Sequence, residues 1–233
     1  MKKVLALVLA LVMVLAMLAG CSGKEDDVAG QITPAEDPKA EEPAEENAGA
    51  LGRIEGGIYT NTYAGFGCEL DANWVYYSAD ELQTLPADVS ELFADTELGE
   101  NAANYTQISD MMAENANDMT SMNVLYTKIG MQERLLFATL SEEDTIDLTL
   151  DQKDQMIAAY EQSGMENVTM EKVKVTFLGE EHTATKTHAT IQGIDYYILQ
   201  ILDYQCGSYG VTLTVSSFIE DKTEDLLGLF FKV

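Results

Sequence analysis

Apolar positions fall into three regimes along the chain. Val4 to Leu18 is apolar without a break. Ser22 to about Gly52 has no aromatic residue and no apolar clustering. From Arg53 to Val233, apolar and polar residues recur with regular periods. In this last stretch, Gly57 to Thr62 predicts a strand and Gly65 to Leu70 its hairpin partner, with a further short segment at Trp74 to Tyr77. Ser78, with Glu81 three residues on, predicts a capped short helix. Pro86 to about Leu98 predicts a second helical piece, followed by a loop over Gly99 to Asn104. Thr106 to Ala113 and Ser121 to Ile129 read as strands around the polar turn Asn115 to Asp118. Ile108, Met111 and Met112 leave a helix open for the first of them. Ser141 followed by Glu142, Glu143 and Asp144 is a helix start, and Ile146, Leu150, Ile157 and Tyr160 carry one long helix to a stop at Gly164. Val168 to Phe177 and His182 to Ile191 form a hairpin around Gly179 to Glu181. Ile194 to Gln205 and Tyr209 to Phe218 form another around Cys206 to Ser208. Asp221 to Phe231 is expected to close the chain as a helix burying Leu226, Leu227, Phe230 and Phe231. Consecutive hairpins imply an antiparallel sheet, and helices between them are expected to cover its faces, an α+β fold.

The N-terminal regime is an export signal. Lys2-Lys3 precedes the apolar run, and small residues close it, the plan of a secretory signal peptide. The run of about 15 residues is shorter than the roughly 20 that span a bilayer as a helix. Leu18-Ala19-Gly20-Cys21 resembles the lipobox of bacterial prolipoproteins. The resemblance implies diacylglyceryl transfer to the Cys21 sulfur and cleavage between Gly20 and Cys21. Buried acyl chains contribute about 0.8 kcal/mol per methylene, and two chains or more anchor stably. The expected organisation is a lipoprotein signal peptide over 1–20, a lipidated Cys21 and acidic tether over 21–52, and one domain over 53–233. Pro34, Pro38 and Pro43 lie in the tether, and its composition predicts disorder and extension. The expected location is the extracytoplasmic face of a cell membrane, in a Gram-positive envelope, with the membrane reached through the lipid.

Charge narrows the partners. The chain holds 13 basic and 40 acidic residues, a formal net charge of −27, and loss of Lys2 and Lys3 with the signal peptide makes it more negative still. Such a field repels a phosphate backbone, so nucleic acid is excluded as a partner, and anionic lipid is repelled likewise. With Cys21 consumed by lipidation, Cys68 and Cys206 remain. They form either a disulfide or two packed thiols, and the thiols are favoured because a domain of this length needs no staple.

Tyr63, Phe66-Gly67, Leu70 and Trp74 resemble the opening motif of PsbP-like domains. Asp71-Ala72-Asn73 stands where that motif has a proline, and Cys68 where it has an aromatic or aliphatic residue. Ser217-Phe218, Glu220 to Thr223 and the Leu-rich end resemble small surface lipoproteins of gut Firmicutes. The PsbP-like resemblance implies an α/β/α sandwich on a central antiparallel sheet and carries over no catalytic residue.

Candidate chemistry is sparse. His182 and His188, beside Glu180 and Glu181, offer zinc ligands, but six strand residues separate the imidazoles by about 20 Å, too far for one ion. Met111, Met112, Met119 and Met122 offer thioethers to Cu(I), and core filling is the simpler reading. Glu142, Glu143, Asp144 and Asp147 complement a helix dipole and form a solvated face, with weak Ca²⁺ binding the alternative. Ser208 sits outside any nucleophile elbow, and a Cys206 pair with His182 or His188 requires the fold to join them. Asn104 and Asn167 head glycosylation-type triplets that carry no further signal. Tyr59, Tyr63, Trp74, Tyr76 and Tyr77, and again Tyr196, Tyr197, Tyr204 and Tyr209, close a core or line a binding face. No catalytic residue, metal site or cofactor is expected. The expected role is a non-enzymatic binding or accessory module for a protein partner or small ligand. A ligand- or divalent-metal-binding lipoprotein and a cell-envelope hydrolase are the alternatives.

Overall fold

The computed structural model describes residues 51–83, 107–203 and 207–233. The expected signal peptide, nearly all of the tether, the helix over 86–98, the loop over 99–104, Tyr204 and Cys206 lie outside the described residues.

Two antiparallel sheets make up the fold. The smaller holds β1 (Arg53–Glu55), β2 (Ile58–Asn61), β3 (Phe66–Glu69) and β11 (Phe230–Lys232), in the order β1-β2-β3-β11. The larger holds seven strands: β4 (Val75–Tyr76), β5 (Gln107–Asn115), β6 (Thr120–Lys128), β7 (Glu166–Phe177), β8 (Glu180–Ile191), β9 (Ile194–Asp203) and β10 (Tyr209–Phe218). Their order is β4-β5-β6-β10-β9-β8-β7, so β10, the last to be made, pairs with β6 on one side and β9 on the other. The helices complete within the described residues are α1 (Met131–Phe137), α2 (Glu142–Leu150), α3 (Lys153–Gln162) and α4 (Thr223–Leu227), and residues 79–83 are also helical.

The expected helix-covered sheet, the PsbP-like α/β/α sandwich, is therefore corrected. One face of the large sheet is covered by a second sheet. Tyr59, Phe66 and Cys68 of the small sheet pack on Met111, Met122, Val124, Tyr126, Leu199, Val211, Leu213 and Val215 of the large one. Burial of this apolar surface, at about 25 cal/mol per Å², holds the sheets together. Phe66, Phe177 and Phe230 form an edge-to-face triangle, with centroids 5.7–5.8 Å apart.

The reversal of the C-terminus explains part of the correction. Gly228 ends α4 after five residues, and Phe230 to Lys232 then pairs with Cys68 to Phe66 as a strand. Phe230 is buried and Phe231 exposed, the alternation of a strand rather than a helix face. The expected long helix is also two helices, α2 and α3. Residues 151–155 (Asp-Gln-Lys-Asp-Gln) are all polar, so no side chain there seats a straight helix, and the chain bends at Asp151 and Gln152. Each half keeps its own buried face: Thr145, Ile146 and Thr149 in α2, and Met156, Ala159 and Tyr160 in α3.

Both expected helix N-caps form, each as a capping box. Ser141 Oγ accepts the Asp144 amide while the Asp144 carboxylate accepts the Ser141 amide, and Ser78 and Glu81 do the same ahead of the helical residues 79–83. Residues 107–115 are a strand, which settles the choice left open by their pattern.

The face of the large sheet turned away from the small one mixes buried apolar side chains (Met112, Leu125, Tyr196, Ile198, Leu202) with a buried polar row. Asn123, Thr214, Gln200 and Thr185 stand side by side across β6, β10, β9 and β8, each no more than 2 % exposed. One row along, Ser121 Oγ meets Ser216 Oγ at 2.7 Å. Thr145 and Thr149 of α2 add two more buried hydroxyl groups.

Two substitutions test this account. A Cβ at Gly67 would lie 2.5 Å from the Tyr59 carbonyl oxygen and 2.9 Å from the Phe231 ring. Gly67→Ala is expected to cost about 1–3 kcal/mol, read as a lower urea midpoint. Ser141→Ala removes the cap of α2 and is expected to cost about 1 kcal/mol by the same measurement.

Candidate functional site

Two concave places are lined by described residues. The first is a cleft of about 460 Å³ where the chain before β1 and the start of the helical residues 79–83 meet the edge of β5. Leu51, Ile54, Tyr77, Leu82 and Ile108 give its walls, and Asp110 lines it. That volume falls within the range of small-molecule pockets.

Asp110 is 9 % exposed and accepts three hydrogen bonds. Its Oδ2 accepts from the Tyr59 hydroxyl at 2.6 Å and from Asn61 Nδ2 at 2.7 Å; its Oδ1 accepts from the Gly52 amide at 2.7 Å. The irregularity in the β5–β6 ladder between Ser109 and Met111 falls at this residue, and such bulges re-aim a side chain. Gly52 is required: a Cβ there would lie 2.3 Å from the Tyr59 ring. All three donors are neutral, and none of the described basic residues forms an ion pair with Asp110. Burial pushes the Asp110 carboxyl above its ordinary value, against the lowering effect of its donors. Burial beside that carboxylate also pushes the Tyr59 hydroxyl far up, so it stays a donor.

The second place is a small pocket of about 130 Å³ between the sheets. Pairing of β8 with β9 runs from Thr185 against Gln200 to Ile191 against Ile194. Beyond Thr185 toward the start of β8, β8 pairs only with β7, and β9 continues only with β10. The sheet splits there. Glu142, the first residue of α2, fills the gap: its Oε2 accepts the Thr183 amide at 2.9 Å and its Oε1 meets His182 Nδ1 at 2.6 Å. Phe66, Phe177, Ile201 and Val211 line the pocket, with His182, Glu180 and Lys232 at its polar margin, the last two forming an ion pair.

The remaining candidates separate. His188 Nε2 meets Asp195 Oδ1 at 2.9 Å and its ring stacks on Tyr197 at 4.8 Å, so each histidine has its own carboxylate. Among the described residues no group of three or more His, Cys, Asp or Glu is placed to hold a metal ion. Met111, Met112 and Met122 are fully buried between strands; Met119 takes a positive φ of 54° in the β5–β6 turn. Of the acidic residues at the start of α2, Glu143 and Asp147 both pair with Lys172, at 3.1 and 2.7 Å. Cys68 is a buried thiol 3.7 Å from the Tyr76 hydroxyl, and burial pushes it up to about 11, which makes it a poor nucleophile. Cys206 lies outside the described residues, and so does Cys21. Ser208 is exposed in the β9–β10 turn, its carbonyl accepting the Ile129 amide. Tyr59, Tyr126, Tyr160 and Tyr196 are core residues, whereas Tyr77 lines the cleft.

Asp110 and the Glu142–His182 contact were not among the sequence candidates. A charge inside the run Ile108 to Ala113 was the one available signal for Asp110; the partners of Glu142 lie 40 residues away. No protein-family model matches this chain, and a search of curated proteins returns no match.

Asp110→Ala leaves the Tyr59 hydroxyl and the Asn61 amide without an acceptor, and is expected to cost about 2–5 kcal/mol in urea unfolding. Because the folded carboxyl is raised, the native chain keeps a proton that the unfolded chain has already lost. The contribution of Asp110 to stability therefore falls as pH rises from its ordinary value of 3.8 through the raised one. Asp110→Asn removes that fall, so the difference in urea midpoint between wild type and variant is expected to move in favour of Asn as pH rises through this window. Glu81 and Asp144, lowered by their Ser78 and Ser141 hydrogen bonds, act with the opposite sign and are unaffected by the substitution.

Proposed function

We propose that this chain is a bacterial lipoprotein, held at the extracytoplasmic face of a membrane by lipid on Cys21, whose domain from residue 53 acts by binding. The observation that carries the anchoring is Leu18-Ala19-Gly20-Cys21 directly after a Lys2-Lys3 start and an unbroken apolar run. The binding reading is supported by the cleft over Asp110 and by the uses to which polar side chains are put. Asp110 ties the sheets, Glu142 with His182 closes a split in one of them, and Cys68 is held protonated. None of these is arranged as a nucleophile beside a base. The acidic surface favours cationic or neutral partners over nucleic acid.

The anchoring is tested by labelling growing cells with a fatty-acid analogue. The wild-type chain is expected to take up label and to sediment with membranes, and Cys21→Ser to do neither. Label and sedimentation retained in Cys21→Ser overturn the anchor. Binding is tested by the melting midpoint of the full chain against a panel of divalent ions, cell-wall fragments and small metabolites. A compound at a hundred times its Kd adds about 2.7 kcal/mol, an upward shift easily read.

A further inference from the structure

We infer that the cleft over Asp110 is a binding site for the ammonium group of a small organic cation with a short apolar body. The inference rests on the reading of the domain as a binding module and is independent of the lipid anchor.

Three observations carry it. The first is a buried carboxyl whose three hydrogen-bond donors are all neutral. A carboxylate offers about four acceptor positions. In Asp110, Oδ2 uses two and Oδ1 one, so Oδ1 keeps a position open. Neutral donors satisfy the hydrogen bonds of the ionised carboxyl but leave its charge uncompensated. A ligand N–H⁺ supplies both the fourth bond and the counter-charge, and charge-assisted bonds are about twice as strong as neutral ones.

The second is the character of the walls. Among the described residues no Lys, Arg or His lines the cleft. Leu51, Ile54, Leu82 and Ile108 are apolar and take a hydrocarbon body, and the Tyr77 ring offers a face suited to a cation. The Tyr77 hydroxyl donates to Glu114 Oε2 at 3.2 Å, and Glu81 acts on the same ring, so the surroundings are negative as well.

The third is the fit of the alternatives. Ca²⁺ takes 6–8 oxygen ligands and Mg²⁺ a strict octahedron. One carboxylate with three positions already used, with Gln83, Gln107 and Ser109 as the other oxygen-bearing side chains of the lining besides Tyr77, offers a single charged ligand and meets neither demand. An anion is repelled by Asp110, and a neutral alcohol gains no charge compensation. The ammonium is therefore recognised by Asp110, and the length of the body by the apolar walls.

The test uses the full chain and three probes of equal length: butylammonium, butanol and butyrate, at matched ionic strength, titrated by ligand-observed NMR. Butylammonium is expected to bind at least tenfold more tightly than butanol, with no binding of butyrate. Asp110→Asn keeps the shape and removes the charge, and is expected to weaken butylammonium at least tenfold. Leu82→Trp enlarges a wall residue that makes no hydrogen bond to Asp110, and is expected to weaken it as much, so the result does not depend on the folding of the Asp110 variant. Equal affinity for butanol and butylammonium, unchanged affinity in Leu82→Trp, or no binding of butylammonium to the wild type overturns the inference. A shift with a different compound in the wider panel, alongside failure of butylammonium, leaves the binding-module reading standing and removes only this ligand class.

Discussion

The ladder between β6 and β10 is the interaction on which the molecule depends. Nine residue pairs, from Tyr209 against Lys128 to Ser217 against Thr120, join the N-terminal hairpin β5–β6 to the three strands β7, β8 and β9. All ten residues of β10 are buried. Without it the large sheet is two unconnected pieces, and the small sheet has no continuous floor to pack on. The pairing joins segments about 90 residues apart, so its loop-closure entropy has to be met by burial on both faces at once.

That dependence explains what was legible in the residues and what was not. Hairpins announce themselves locally, through alternation on either side of a Gly-containing turn, and β2–β3, β7–β8 and β9–β10 were readable for that reason. The two capping boxes were readable because four consecutive residues contain the whole interaction. The fold class was not. Whether Phe230 to Lys232 is helix or strand is decided by an empty edge on β3, some 160 residues earlier, and no local period reports that. Once β11 fills that edge, the small sheet is wide enough to cover a face that otherwise calls for helices. Helix α1 and strand β1 are short, and neither shows a pattern long enough to read.

The candidate site follows the same division. Met111, Met112 and Met122, and Tyr59, Tyr196 and Tyr209, were legible as core because burial is a property of their own chemistry, whereas Met119, Tyr63, Trp74, Tyr76, Tyr77 and Tyr197 are not fully buried. The histidines were legible as a pair but not by their partners, since Glu142 and Asp195 come from different elements. Asp110 was hidden: a single carboxylate among 40 acidic residues has no signature in sequence. Its role appears only when Tyr59 and Asn61 arrive from the other sheet and Gly52 from the chain before β1. In that position it is the seam between the sheets and a buried carboxyl with only neutral donors.

The two faces of the large sheet differ in what they would show to water. Between the sheets lie phenylalanine, tyrosine and methionine, a surface that would adhere to other molecules if opened. On the other side threonine, serine, asparagine and glutamine stand among Met112, Leu125, Tyr196, Ile198 and Leu202. Opening the first face exposes mainly apolar surface, whereas opening the second also frees hydroxyl and amide groups to hydrogen-bond water.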